Sequence, residues 1–192
     1  MKKNSVHMLD EVVAGRLERA LGYRFANRSL LALALTHSSW ANEGGSLRQH
    51  NERLEFLGDA VLELAVSKEL FERFTRLREG ELTRLRSQLV STPSLARLAR
   101  SLDLGRALFM GRGEERQGGR DRDAVLSDAF EAVLAAVYED GGFAAAHACV
   151  RKLFSPLWPK REDASPRHKD FKTLLQEIMQ QRYRDRPLYR LL

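Results

Sequence analysis

The chain has 192 residues, 43% of them hydrophobic, enough to bury the core of one domain with a small appendage. No apolar run is long enough to span a bilayer, and the basic start Met1–Met8 is followed by no signal-peptide stretch, so neither a membrane span nor secretion is expected. The net charge of +6 is uneven: residues 159–192 hold nine Lys/Arg against five Asp/Glu, which suits a polyanionic partner and equally a solvated basic tail.

The periodicity predicts helices almost throughout. Leu9–Leu21 carries apolar residues at 9, 12, 13, 17, 20 and 21, a helical stripe. Leu30–Leu35 is a second, short helix that ends at Thr36-His37-Ser38-Ser39, and 42–50 reads as a polar loop. A long third helix covers about 51–74, with Leu54, Leu57, Val61 and Leu64 as its buried stripe. Glu79–Val90 is a fourth. A fifth restarts at Thr92-Pro93, with Thr92 as cap and Pro93 at the first helical position. Residues 111–123 hold four of the thirteen glycines and are expected to form a mobile loop. Helices at about 124–139 and 143–157 come next, separated by Gly141-Gly142. Cys149 is alone, so no intrachain disulfide forms, which fits a reducing cytoplasm; it reads as a small helix residue. Residues 159–168, with Pro159 and Pro166, form a linker, and helical periodicity resumes over Asp170–Tyr183.

The chemistry concentrates in Asn51-Glu-Arg-Leu-Glu-Phe-Leu-Gly-Asp59. Glu52, Glu55 and Asp59 stand three and four residues apart, so one helix face stacks three like charges, which destabilises an isolated helix. A hard divalent cation would compensate. Asp128 and Glu131 form a second acidic pair inside the apolar stretch Ala124–Val137, where unpaired charge is costly. Two helices with inward carboxylates can make an all-oxygen site for Mg²⁺ or Mn²⁺. A di-iron bundle would require Glu-x-x-His, and no Glu here has His three residues later. A solvated acidic face remains a plain alternative, as does pairing of these acids with Arg53 and Arg86.

The run Asn51–Leu62, NERLEFLGDAVL, closely resembles the signature of the ribonuclease III family. Thr36-His37-Ser38, Glu79–Arg86, Gly111–Glu114, Gly118-Gly119 and Leu126–Ala132 resemble further family blocks in the same order. Asp170–Glu177 resembles the opening of a double-stranded-RNA-binding domain. The resemblance implies an all-α ribonuclease III catalytic domain over 1–158, a linker over 159–168, and a truncated double-stranded-RNA-binding domain over 169–192 with its first helix and a possible first strand.

It further implies an endoribonuclease that cleaves double-stranded RNA with Mg²⁺, or Mn²⁺ as a substitute, to 5′-phosphate and 3′-hydroxyl ends with staggered cuts. Such enzymes process ribosomal and messenger RNA precursors as homodimers. Glu55, Asp59, Asp128 and Glu131 match the metal-coordinating carboxylates, with Asp59 and Glu131 the two most critical to catalysis. Glu52 and Glu79 match supporting acidic positions that contact or position substrate, and Phe56 matches an aromatic that inserts into the partner subunit. His37 is better read as a capping or core residue than as a base. In the tail, Thr173, Gln176, Glu177 and Gln180 share a polar face suited to the 2′-hydroxyls of an A-form minor groove. The tail holds too little of that module to bury its own apolar face and is expected to be weakly ordered in isolation. Asp123 stands where a neutral cap is expected. A non-cleaving RNA-binding relative is the competing reading.

Overall fold

A computed structural model describes residues 9–44, 49–159, 179–180 and 182–183. Its contacts divide the chain into two units, Met1–Leu157 and Trp158–Leu192. The first helix, α1 (Glu11–Leu21), starts where the Asp10 carboxylate accepts the Val12 N–H at 2.7 Å. It stops at Gly22, whose φ of 73° is open to glycine at little cost. Helix α2 (Arg28–Ala34) is capped by Asn27, which accepts from the Ser29 N–H.

A short helix, α3 (Ser38–Gly44), occupies the start of the expected 42–50 loop. Local capping supplies the reason: the His37 ring nitrogen Nδ1 accepts the Ser39 N–H at 3.2 Å, and the His37 carbonyl accepts from Trp40 and Ala41. Trp40 then packs against Phe109, with ring centroids 5.9 Å apart.

Helix α4 (Glu52–Arg73) is the long central element. Its buried stripe is Leu54, Gly58, Val61, Leu62, Ala65, Val66 and Leu70. Two leucines expected in that stripe are not in it: Leu57 is half-buried and Leu64 is 57% exposed. At about 100° per residue both fall roughly 60–80° to one side of Leu54, whereas the buried arc of Leu62, Val66 and Leu70 extends to the other side. Helices α5 (Glu79–Leu89) and α6 (Thr92–Ser101) come after it. Ser91, not Thr92, holds the cap position of α6, which moves Thr92 and Pro93 into its first turn.

The segment expected to be mobile is instead structured. It contains α8 (Arg112–Arg116) and a 3₁₀ turn at Gly119–Asp121, preceded by the one-turn α7 (Leu104–Ala107). Charged side chains satisfy its backbone. Glu43 accepts the N–H groups of Arg112 and Gly113 at 3.0 and 3.3 Å, and these bonds hold its carboxyl below the usual range. Arg120 donates to the carbonyls of Gly105 and Leu108 at 2.8 Å each. Arg100 donates to the Asp121 carbonyl and to the Asp123 carboxylate. Asp123 is thereby the first residue of the last helix, and Arg122 holds its cap position.

That last helix, α9 (Asp123–Leu153), is interrupted at Gly142 (φ 74°, ψ −178°), as the paired glycines predict. Its first half is nearly all buried, with Ala129, Ala132, Ala135 and Ala136 at 0% relative exposure where other helices lie against it. Among the described residues the most extensive contact is α4 on α9, with α6 and α2 also packed on α9. Small alanines let these axes approach closely. Among the described residues the fold is all-α; an isolated parallel bridge joins Thr36 to Phe109. No described helix is long and apolar enough to cross a membrane.

The expected linker and RNA-binding segment fall largely outside the described residues, and with them Thr173, Gln176 and Glu177. Gln180 is described; it is helical and exposed.

Candidate metal centre and active site

The crossing of α4 over α9 builds the site. Gly58 sits at the crossing: a Cβ there would come within 2.0 Å of the Glu131 carbonyl oxygen. Glycine is therefore needed between Glu55 and Asp59, because any side chain would push α4 away from the helix that carries Asp128 and Glu131. The contact brings together one oxygen each from Glu55, Asp128 and Glu131, all within 4.8 Å of one another. Oxygens on one octahedral Mg²⁺ lie no more than about 4.2 Å apart, twice a metal–oxygen bond of roughly 2.1 Å. Three ligands on one ion include adjacent pairs about 3.0 Å apart, so these side chains would draw in by rotamer rotation to hold a hard divalent ion.

The charges carry strain that such an ion would relieve. Glu131 has its pKa pushed up to about 8, first by burial and then by Asp59, Asp128 and Glu55. Burial also raises Glu55, with Asp128, Glu52 and Asp59 adding to it. Asp128 is raised by burial, partly countered by His37. None of the four acids at the crossing takes part in an ion pair among the described residues. Arg86 instead donates to Ser67 Oγ at 3.0 Å, and neither Arg86 nor Arg53 forms an ion pair with these acids among the described residues.

Asp59 stays outside the group of three. It lies one turn along α4, exposed, yet of the neighbouring charges it weighs most on Glu131. Glu55 and Asp128 open on a cleft of about 400 Å³, lined also by His37, Ser38, Asn51 and Glu52. Glu52 is at this wall, exposed, with its carboxylate 3.7 Å from His50. Glu79 is not part of the wall; it starts α5, exposed, and accepts from the Thr83 hydroxyl at 2.9 Å. Phe56 points out of α4 and is 82% exposed.

Sequence reasoning underrated three features of this wall. His37 does cap α3, but it also faces the cleft. Asn51 is buried and is placed by its own N–H, which donates to the Thr36 carbonyl at 2.9 Å. The cap turn is fixed from the other side by backbone bonds of His37 and Phe109 across the Thr36–Phe109 bridge. The signal was the Thr36-His37-Ser38 turn itself, whose partner 73 residues away the sequence does not name.

Residues 27–157 match a family model described as ribonuclease-III-like. The chain is 58% identical over 177 residues to Ribonuclease 3 of Oleidesulfovibrio alaskensis, covering 92% of this chain and 77% of that protein. It is 53% identical over its full length to Ribonuclease 3 of Nitratidesulfovibrio vulgaris, covering 73% of that protein. The nuclease domain of ribonuclease III from Campylobacter jejuni superposes with a TM-score of 0.71 at 40% identity, covering 80% of this chain and 99% of that one. A second structure of the same domain, described for flexibility in the region involved in dimer formation, gives 0.70 at 41% identity, covering 76% and 98%.

Proposed function

The chain belongs to the ribonuclease III family of endoribonucleases, and from that membership we propose that it hydrolyses phosphodiester bonds of double-stranded RNA with Mg²⁺, or Mn²⁺ in its place. The observation that carries this reading is the convergence of Glu55, Asp128 and Glu131 from two helices, with Glu55 and Asp128 on an open cleft and no ion-pair partner among the described residues to neutralise the three. Bound there, a divalent ion supplies Lewis-acid stabilisation of the attacking and leaving oxygens of the scissile phosphate.

The chain's own residues do the rest. Glu55, Asp128 and Glu131 hold the ion. Asp59 and Glu131 carry the critical catalytic roles in this reading, Asp59 as a second ligand or a water-orienting group; its electrostatic reach to Glu131 supports that. In this reading Glu52 orients substrate at the rim, and Glu79, away from the cleft wall at the start of α5, contacts substrate beyond it. No Ser-His-Asp or Cys-His arrangement is required, since water is the nucleophile. The products carry 5′-phosphate and 3′-hydroxyl ends.

Two copies work as a homodimer with Phe56 at the contact, and a two-fold axis sets the two sites antiparallel, which gives staggered cuts. Residues 1–158 act as the nuclease, 159–168 as linker, and 169–192 as the start of an RNA-binding module. In that module Thr173, Gln176, Glu177 and Gln180 meet the minor groove. The targets are ribosomal and messenger RNA precursors in the cytoplasm.

The test is a gel of long duplex RNA incubated with the protein in Mg²⁺ or in chelator. Fragments with Mg²⁺ and none with chelator are expected. Duplex that is bound but left whole in Mg²⁺ would establish the non-cleaving alternative.

A further inference from the structure

His37 belongs to no assigned role in cleavage, yet its hydrogen bonds fix more than a cap. The backbone N–H of Ser39 donates to Nδ1 at 3.2 Å, so Nδ1 acts as an acceptor and carries no proton. Ser39 Oγ lies 2.7 Å from the same nitrogen and itself accepts the Gly111 N–H at 3.0 Å. With its lone pair engaged by Gly111, the hydroxyl is free to donate its own hydrogen to Nδ1. Two donors on one ring nitrogen leave the ring's hydrogen on Nε2. Among the described residues no hydrogen bond uses Nε2. The ring lines the same cleft as Glu55 and Asp128, on a turn pinned at three points by the Thr36–Phe109 bridge, the Asn51 N–H and the Gly111 N–H.

We propose that His37 is a substrate-contacting residue whose Nε2–H donates to a phosphate oxygen of the RNA backbone beside the scissile bond. This rests on the reading of the cleft as a duplex-RNA nuclease site. The donor is held rigidly, and it gives an anionic phosphate oxygen a hydrogen-bond partner in a wall otherwise rich in carboxylates. Ser39 and Gly111 act through the ring: they set its tautomer and are positioning residues.

Two substitutions separate this role from the cap. His37→Asn keeps an acceptor where Nδ1 stands, and Asn is among the best helix caps, but it places no donor at the Nε2 position. His37→Gln does the reverse: it reaches the cleft with an amide N–H and caps poorly. The expected result is a crossed order. H37N unfolds at about the parent temperature yet loses roughly tenfold to a hundredfold in kcat/KM, as for one hydrogen bond to a charged group. H37Q unfolds at a lower temperature yet, at a temperature where all proteins are folded, cleaves closer to the parent rate. A purely structural His37 gives the opposite order in cleavage, with H37N near parent, and that result overturns the proposal. The Mg²⁺ concentration for half-maximal cleavage is expected to stay unchanged in H37N. A shift would route the effect through Asp128 and overturn the substrate contact. A parent protein that leaves duplex RNA whole overturns the nuclease reading, and the proposal with it, before any variant is compared.

Discussion

At the scale of single residues, Glu131 is the most perturbed acid of the site. In the absence of divalent ions its folded-state pKa lies at about 8, against an ordinary value of 4.5, because burial and three neighbouring carboxylates disfavour its charge. The folded state therefore holds this proton more tightly than the unfolded chain. The associated stability is fully present below the unfolded value and is lost as pH rises through the folded one. Thermal unfolding in chelator should thus show a melting temperature that falls between about pH 5 and pH 9, and Mg²⁺ should restore more of it at the alkaline end, where it displaces no proton. A flat profile in chelator would contradict this assignment. Glu131→Gln removes both the buried charge and an ion ligand. It should flatten that profile, raise metal-free stability, and cut cleavage of duplex RNA by more than roughly a hundredfold. Parent-like cleavage by this variant would remove Glu131 from the centre.

At the scale of elements, the site depends on how closely α4 and α9 approach. Gly58→Ala puts a methyl against the Glu131 carbonyl, a backbone atom that cannot turn aside. Forced separation costs on the order of 1–3 kcal/mol and splays Glu55 from its partners across the crossing, so cleavage should fall further than stability accounts for. Gly80 in α5 is the control, since a Cβ there meets nothing within 4 Å. Gly80→Ala should leave cleavage intact and stabilise by about 0.5–1 kcal/mol, read by denaturant unfolding. Similar losses from both substitutions would show that helix propensity, not the crossing, governs position 58.

At the scale of the whole molecule, α4 presents more than a catalytic face. Phe56, Leu64 and Phe71 are 82%, 57% and 72% exposed. Their spacing of eight and seven places them on one side of the helix, clear of the buried stripe. A set of large apolar side chains in water suits a second copy of the chain. For the homodimer proposed above, Phe56→Ala should lower the mass in light scattering toward that of a monomer, with cleavage lost in proportion; a parent of monomer mass would remove the dimer, and an unchanged dimer mass in the variant would remove Phe56 from its contact. Truncation after Pro159 keeps every acidic residue of the site and should weaken duplex binding while retaining cleavage at high protein concentration.

How much was legible in the sequence depended on the range of the interaction. Helix periodicity, the break at Gly141-Gly142 and the carboxylates at helical spacing are encoded by neighbours within a few residues, and local physics is enough to read them. The order of residues 111–123 was not, because glycine content signals freedom while Glu43, Arg100 and Arg120, which hold the backbone, come from other parts of the chain or from unpredictable rotamers. Leu57 and Leu64 were assigned inward because a one-dimensional stripe cannot say how wide the contact with α9 is. The sequence by itself determined which acids the protein has and which helices carry them. Only the tertiary structure decided that Glu55, Asp128 and Glu131 converge while Asp59 stands aside, and that His37 joins them in one wall. The reason is that the distances are set by the α4–α9 crossing at Gly58 and by the bridge from Thr36 to Phe109, both contacts between residues 73 positions apart in the chain.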